Sequence, residues 1–261
     1  MTEEFQQAFT KRFEREVHES YVRMGSKLRH TVRAKNNVQG EATTFQRVGK
    51  TGTDVLPLDP AVCELNDFYA GDWVDRLDEL KTNVDERGIV ANAGAYALGR
   101  KTDELIVLAL NGSTNVVGRS DDGLTEEKAK LAVEALNSAG MTSHVPRHAI
   151  VGWKQWANLL NIADFAAADY VGTDELPWRG TQAKRWLGVL WMPHSGLTPN
   201  GNVRICHLFH KNAVGHAAGA EVKTDITWHG DRGAHYVNNM MKQGAALIDP
   251  AGVVTMRCAE A

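Results

Sequence analysis

Four residues in the last quarter of the chain are of types that bind metal ions: Cys206, His207, His210 and His216. Thiolates and imidazoles are the usual zinc ligands, and a zinc site needs them on one face at characteristic spacings. On a strand, Cys206 and His207 point to opposite faces, and His207 and His210 do not share a face. The spacing fits no common zinc pattern, so we expect no metal site and interpret these residues as core or interface residues.

Two short motifs resemble catalytic signatures only in part. Residues 48–51 read Val-Gly-Lys-Thr, like the end of a phosphate-binding loop, but that motif needs a glycine where Thr44 stands. Residues 194–196 read His-Ser-Gly, but Met192 occupies the place of the first glycine of a nucleophile elbow. No acid, base and nucleophile come together in the sequence. We therefore expect a protein that is not an enzyme, with no catalytic residues and no cofactor.

Composition is that of an ordinary globular protein: 261 residues, 43% hydrophobic and 23% charged. Three cysteines, Cys63, Cys206 and Cys258, are too few and too scattered for a disulfide framework, which favours reduced thiols in a cytosolic setting. The N-terminus shows no signal peptide. The longest apolar runs, 105–110 and 186–192, are far shorter than the roughly 20 residues of a membrane span. We expect a soluble protein made inside a cell.

The elements that would position any functional residue begin with a long polar arm, Leu28 to Leu58. Its period-two alternation, with turn residues at 36–37 and Gly40, predicts a β-hairpin that has little to bury. Strands of about a dozen residues reach about 35 to 40 Å, whereas the radius of gyration expected for this length is about 18 Å. We therefore expect the hairpin to lie on a neighbouring copy of the chain; the alternative is a disordered linker.

Charge divides the chain into a basic arm and an acidic region that follows it. Opposite fields would steer and register a contact between the arm of one copy and the acidic segment of the next. The candidate interface residues of the arm are Arg33, Lys35, Phe45, Arg47 and Lys50. Those of the acidic segment are Asp72, Asp75, Asp78 and Glu79. Nucleic-acid binding by the basic arm is an alternative, although Phe45 is its only aromatic residue.

Two helices dominate the predicted first half. Residues 3–24 carry aromatic residues at i+4 spacing, and a second helix spans Asp72 to Arg100 and continues to a stop at Asn111-Gly112. Three glycines, Gly88, Gly94 and Gly99, interrupt the second helix. Since each costs up to about 1 kcal/mol relative to alanine, we expect a bend or close packing against another backbone there.

The second half is predicted to mix helices and strands without internal repeats, which makes the fold class α+β. A helix over 124–139 has Thr125 as its N-cap. The remaining predicted elements are a strand at 149–152, a helix at 153–162, strand units at 180–192, 203–209, 213–217 and 224–229, a possible helix at 235–243, and a strand, turn and strand over 247–258. The seven tryptophans fall mainly on predicted apolar faces and are interpreted as core residues.

This order of elements resembles that of the major capsid proteins of tailed bacteriophages with the Hong Kong 97-like fold, of the podophage type. The resemblance covers nearly the whole chain, although each piece alone is weak. Its most specific parts are Val32 to Thr53, Pro146 to Leu160, Gly180 to Leu197, His210 to Gly215 and Gly244 to Met256.

The resemblance implies four parts: an N-terminal arm (1–27), an extended loop (28–58), a peripheral domain with a long spine helix (59–111 and 223–261) and an axial domain (112–222). It implies a structural protein that self-assembles, as pentamers and hexamers, into an icosahedral shell around double-stranded DNA bound without sequence specificity. Separate scaffolding and portal proteins would be partners, no membrane is involved, and the protein would reside in the virion after assembly in the host bacterial cytoplasm.

Two other functions stay open from the sequence. The first is an encapsulin-like compartment of the same fold, which would enclose a cargo enzyme instead of a genome, because fold alone does not fix function. The second is a metal-dependent hydrolase that uses His207, His210 and His216.

Overall fold

The computed structural model describes residues 25–47, 60–75, 86–140, 145–166, 183–219 and 222–260. The helices of this part are α1 (Glu86–Asn111), α2 (Glu126–Ser138), α3 (Trp153–Leu160) and α4 (Ala163–Ala166). The first strands are β1 (Arg33–Lys35), β2 (Ala42–Phe45), β3 (Ala61–Glu64), β4 (Asn66–Asp75), β5 (Val116–Val117) and β6 (Arg147–Val151). The others are β7 (Lys184–Trp186), β8 (Val189–Pro193), β9 (Pro199–Asn200), β10 (Val203–His210), β11 (Val214–Ala218), β12 (Lys223–His229), β13 (Ala234–Leu247) and β14 (Val253–Ala259).

The first sheet is organised around β13. This strand pairs with β4 along one side, and along the other side with β12 in its first half and β11 in its last part. Strand β1 extends the sheet by pairing in parallel with β11. One face packs on the first half of α1, where the buried apolar residues include Val74, Val90, Leu98, Val237 and Met241. Mixed α+β architecture is therefore confirmed.

The second sheet has the order β5-β14-β10-β6-β8-β7, with β9 beside β10. Its core includes Ile106, Val107 and Leu110 from the last half of α1, so a single helix contributes to the buried clusters of both sheets. Aromatic rings continue this core in a chain of contacts, with centroid distances of 5.4 to 5.9 Å, through Trp156, Phe165, Trp186 and Trp191.

The predicted hairpin of Leu28 to Leu58 is wrong for the part that the structure describes. Strand β1 pairs with β11 and strand β2 pairs with β3, so the two do not pair with each other. The predicted turn exists, with positive φ at Asn37 and Gly40, and Leu28 is fully buried in the subunit. Alternation shows that a segment is extended but does not identify its partner strand. Residues 48–58 of the predicted loop and the helix predicted over 3–24 lie outside the described residues.

Two helix predictions are also wrong in part. The helix predicted from Asp72 is strand β4 as far as Asp75, and the described helix begins at Glu86, although it ends at Asn111 as predicted. The segment 235–243 belongs to β13, where partners on both sides override the local helical pattern.

Two predictions that depend on local backbone geometry, a helix cap and close packing at glycines, agree with the structure. Thr125 caps α2 and its hydroxyl accepts a hydrogen bond from the backbone N–H of Lys128, as predicted. Close packing at the glycines of α1 is confirmed for Gly99, where a Cβ would lie 1.8 Å from the carbonyl oxygen of Gly25. A Cβ at Gly94 would lie 2.1 Å from the side-chain nitrogen of Asn239.

The domain limits expected from the resemblance differ from sheet membership at two strands. Strand β11 falls within the expected axial segment but belongs to the first sheet, whereas β14 falls within the expected peripheral segment but pairs with β10 in the second sheet. The chain crosses between the sheets at both places. A division by sheet would therefore place β11 with the first sheet and β14 with the second.

The carboxylate of Asp103, in the middle of α1, joins three parts of the chain. It accepts hydrogen bonds from the Ser26 hydroxyl (2.6 Å) and from the backbone N–H groups of Lys27 (3.2 Å) and Leu28 (3.0 Å). It also lies 3.1 Å from Nε2 of His194. Nδ1 of His194 accepts a hydrogen bond from the backbone N–H of Gly196 at 3.0 Å. The ring proton is therefore on Nε2, which donates a hydrogen bond to Asp103.

Among the described hydrogen bonds, the ammonium group of Lys128 has backbone carbonyl partners and no carboxylate partner. It donates to four backbone carbonyl oxygens, those of Arg119, Asp122, Gly123 and Arg257, at 2.8 to 2.9 Å. The residue is only 3% exposed, so these bonds replace its hydration. They fasten the loop before α2 to the end of β14.

Three histidines are buried and neutral because burial opposes their charged form. Desolvation lowers the pKa of His148, His207 and His216 to about 4 in each case. His207 contacts Asn111 of α1 at 3.0 Å and Thr255 of β14 at 3.3 Å. His216 contacts Oε1 of Gln243 at 3.2 Å, and the same oxygen accepts the hydroxyl of Thr102 in α1 at 2.7 Å.

Replacing Asp103 should destabilise the subunit strongly. Asp103→Ala leaves buried donors of Ser26, Leu28 and His194 without their acceptor, so we expect a loss of about 3 kcal/mol or more in the free energy of unfolding. Urea denaturation measures the change. Glu104→Ala, at the exposed next position of α1, is the matched control and should leave the midpoint nearly unchanged. Equal effects of the two substitutions would contradict the role assigned to Asp103.

Acid should destabilise unassembled subunits well above the pKa of these histidines. An unfolded histidine takes up a proton below about pH 6.5, whereas the folded ones do so only near pH 4, so stability falls as pH drops from about 6.5 towards 4. At pH 5 the loss is about 2 kcal/mol for each histidine. Urea denaturation between pH 7 and 5 measures the slope, and His207→Gln should make it shallower by about one proton. An unchanged slope in that variant would show that His207 does not contribute to the loss of stability in acid.

Candidate functional site

Two basic residues of the predicted interface lie on β1, at one edge of the first sheet. Arg33 and Lys35 are exposed. The Arg33 guanidinium lies 5.9 Å from the centre of the Phe45 ring, and Nζ of Lys35 donates to the hydroxyl of Thr43 at 2.7 Å. Arg47 is half-buried, and Lys50 lies outside the described residues.

Phe45 was predicted to contact a neighbouring copy, and the structure corrects this. It is 2% exposed and packs with Cys63, Leu65, Ala217 and Ile248 of its own subunit. A Cβ at Gly215 would lie 2.7 Å from its ring. Phe45 therefore anchors the β2–β3 ribbon to the first sheet and is unavailable to a partner.

The acidic candidates lie on β4, at the opposite edge of the same sheet. Asp72 and Asp75 are exposed, but they are strand residues and not helix residues. Asp78 and Glu79 lie outside the described residues. Among the described strands, none pairs with the outer side of β4, which runs for 10 residues.

The two charged edges cannot meet within one copy. Lys35 pairs through Ala217 with Gly244, whereas Asp72 pairs with Val237. The two positions are thus separated by three strand spacings across the sheet and by seven residues along β13, which together give a separation of about 25 Å. Lys35 and Asp72 therefore do not contact each other within one copy.

The candidate metal ligands are not brought together. His207 lies in the second sheet between Asn111 and Thr255, and His216 lies in the first sheet beside Gln243. Nδ1 of His210 accepts the backbone N–H of Asn212 at 3.3 Å, and Cys206 is fully buried. Within the described ranges, no group of three or more histidine, cysteine or acidic residues could hold a metal ion.

The structure describes one of the two partial catalytic motifs, His-Ser-Gly at 194–196. The hydrogen bonds of Asp103 with Ser26, Lys27, Leu28 and His194 form what we call the Asp103 junction. The His-Ser-Gly segment belongs to it, since His194 contacts both Asp103 and the backbone of Gly196. Residues 48–51 lie outside the described residues. As for membrane insertion, none of the described helices combines the length and the apolar character of a membrane span.

Sequence reasoning missed a cluster of aromatic side chains on the first sheet. Trp73 of β4 lies 5.0 Å from His229 of β12 and 4.8 Å from Tyr236 of β13, as centroid distances. Trp73 is 38% exposed and Tyr69, on the same face of β4, is 65% exposed. Trp153 and Trp228 are also exposed, so the interpretation of the tryptophans as core residues is wrong for these three. Only the correct strand assignment of β4 could have revealed the cluster.

Comparison with solved structures finds the same fold in several protein shells. The virus-like particle of Pyrococcus furiosus matches with a TM-score of 0.70 at 13% identity, over 95% of this chain and 99% of that chain. A structure of Mycobacterium phage Che8 matches with a TM-score of 0.62 at 17% identity, over 84% and 85% of the two chains. The holo-SrpI encapsulin complex of Synechococcus elongatus PCC 7942 matches with a TM-score of 0.65 at 9% identity, over 86% and 84%.

Sequence comparison with families identifies the chain more directly. No curated protein matches it. A family described as phage capsid protein matches residues 5–260, which is nearly the whole chain. The solved phage capsids share its Hong Kong 97-like architecture of helices and sheets. The chain is therefore a capsid shell protein and belongs to the phage capsid protein family.

Proposed function

We propose that this protein is the major capsid protein of a tailed bacteriophage and that its copies assemble into an icosahedral shell around double-stranded DNA. The observation that carries the proposal is the family match over residues 5–260. Its role is structural and not catalytic. The protein resides in the virion after assembly in the cytoplasm of the host bacterium, with separate scaffolding and portal proteins as partners, and it contacts DNA without reading its sequence.

The charged edges support an assembly mechanism. The basic edge of β1 and the acidic edge of β4 are different surfaces, so a contact between them is heterologous, and repeated heterologous contacts close into rings where the rotation permits. Rings of five and six copies are the pentamers and hexamers of an icosahedral shell. The residues assigned to this contact are Arg33, Lys35, Arg47 and Lys50 on one side and Asp72, Asp75, Asp78 and Glu79 on the other.

An encapsulin-like compartment is the second candidate. The observation that favours it is the similarity to the SrpI encapsulin complex, whose TM-score of 0.65 exceeds the 0.62 of the Mycobacterium phage Che8 structure. Purified particles distinguish the two functions by their contents. A genome-length DNA inside the shell identifies a capsid, and a cargo protein detected by mass spectrometry in particles without DNA identifies a compartment.

Replacing residues 48–58 by a short Gly-Ser linker should leave folded subunits that no longer form shells. The segment 28–47 is retained because its residues Leu28, Val32 and Phe45 are buried in the subunit core, so the variant keeps those contacts. Circular dichroism checks the fold, and sedimentation with negative-stain electron microscopy detects shells. Normal shells from this variant would refute a role of the loop in assembly.

Reversing the basic residues should impair assembly most at low salt. We expect the fourfold variant Arg33→Glu, Lys35→Glu, Arg47→Glu and Lys50→Glu to lose assembly at low ionic strength, where exposed charges are least screened, and to recover partly as salt rises. Light scattering against salt concentration measures this. Exposed basic residues elsewhere, Arg119 and Lys130, reversed to Glu, are the control. A defect independent of salt would argue against the electrostatic contact.

A further inference from the structure

The hairpin formed by β7 and β8 lies at one end of the second sheet. Strand β8 pairs with β6 on one side and with β7 on the other, and none of the described strands pairs with the outer side of β7. Trp186 pairs with Val189, so the turn of this hairpin consists of Leu187 and Gly188. A Cβ added at Gly188 would meet no described atom within 4 Å. The turn therefore projects from an open edge of the sheet.

Both turn residues have positive φ angles, 52° at Leu187 and 73° at Gly188. Positive φ at both central residues is typical of a type I′ turn, in which the first position usually carries asparagine, aspartate or glycine. A leucine is unfavourable there because its Cβ lies too close to the following carbonyl oxygen. The backbone at Leu187 is therefore strained.

Asn37 provides a comparison within the same chain. Among the described residues it is the other non-glycine residue with positive φ, at 57°, and it is exposed between β1 and β2. Asparagine tolerates this conformation because its short polar side chain can form local hydrogen bonds. The chain thus carries a well-suited residue at 37 and a costly one at 187. The turn geometry itself gives no reason for a leucine.

Packing within the described part of the subunit gives no reason for this leucine either. Leu187 is 37% exposed, and none of the three buried apolar clusters of the described residues includes it. Its neighbours Trp186 and Val189 do belong to the core of the second sheet. A strained residue that packs poorly in its own subunit points to a function of its side chain elsewhere.

We infer that Leu187 is a contact residue between copies and that its side chain is buried in an apolar site of a second copy when shells assemble. This inference rests on the proposed assembly of identical copies, and it adds a contact away from the charged edges of the first sheet. A second copy is the partner because the chain is a capsid shell protein and a protruding apolar residue suits the core of an interface. Burial in the shell would offset the strain that the free subunit carries.

Leu187→Asn should change subunit stability and assembly in opposite directions. Asparagine relieves the strain, so urea denaturation of unassembled subunits should show an unfolding equilibrium constant that is about fivefold lower. The substitution also removes the apolar contact, so the subunit concentration at which shells form, measured by light scattering, should rise about tenfold. Simple damage to the fold would not produce a more stable subunit that assembles less well.

Two matched variants control this experiment. Asn37→Leu makes the reverse exchange at nearly the same φ and should raise the unfolding constant about fivefold. Leu160→Asn, at a 43% exposed position of α3, removes an exposed leucine from helical backbone and should leave the assembly threshold unchanged. The inference is overturned if Leu187→Asn leaves either the unfolding constant or the threshold unchanged, or if Leu160→Asn raises the threshold equally.

Thiol labelling gives a second measurement. The native cysteines Cys63, Cys206 and Cys258 are all buried, so a maleimide should react with Leu187→Cys in unassembled subunits and at least tenfold more slowly in particles. Leu160→Cys should react at the same rate in both. Equal rates for Leu187→Cys, or equal slowing for Leu160→Cys, refute the contact while assembly stands. A parent protein that forms no particles under any condition defeats the proposed function and the inference together.

Discussion

The hydrogen bonds of the Asp103 carboxylate are the constraint on which the arrangement of the subunit depends. One buried side chain in the middle of α1 holds the segment 26–28 and the loop at His194, which follows β8 of the second sheet. Because α1 also packs on the first sheet, this junction fixes both sheets and the start of the extended segment relative to one helix. A buried carboxylate is stable only when its oxygens are fully satisfied, and here four donors satisfy them.

Rigidity of this kind determines where the exposed charges lie. The first sheet has a basic edge at β1 and an acidic edge at β4, and β1 is held in place through the same segment that Asp103 anchors. The continuous ladder β1-β11-β13-β4 fixes the distance between the two edges. The hydrogen bond from the backbone N–H of Leu28 to Asp103 restrains the segment that leads into β1. Under the proposed assembly, this fixed distance would give every copy the same contact geometry.

The sequence predicted the parts of the fold that local physics determines. The Thr125 cap, the end of α1 at Asn111 and the close approach at Gly99 follow from backbone donors, helix breakers and the absence of a Cβ. Partners that are distant in the chain were not predictable in the same way. The alternation of residues 33–35 and 42–45 shows extended chain, but only the tertiary structure shows that β11 and β3 are their partners. Residues 72–75 of β4 were assigned to a helix, so the contacts of the Trp73 ring with His229 and Tyr236 could not be recognised. The burial of Lys128 was not predictable from the sequence either. Its ammonium group donates to four backbone carbonyl oxygens, and every residue type has a backbone carbonyl, so no residue pattern marks these acceptors.

The weakness of individual surface contacts favours a shell as the functional state. An exposed ion pair contributes at most about 1 kcal/mol, so one contact between a β1 edge and a β4 edge cannot hold two copies together at ordinary concentrations. In a closed ring, every copy uses both edges, and the second contact forms at a high effective concentration once the first exists. Weak charged contacts of this kind would also let misplaced copies dissociate during growth of a shell, so that only correctly closed rings persist.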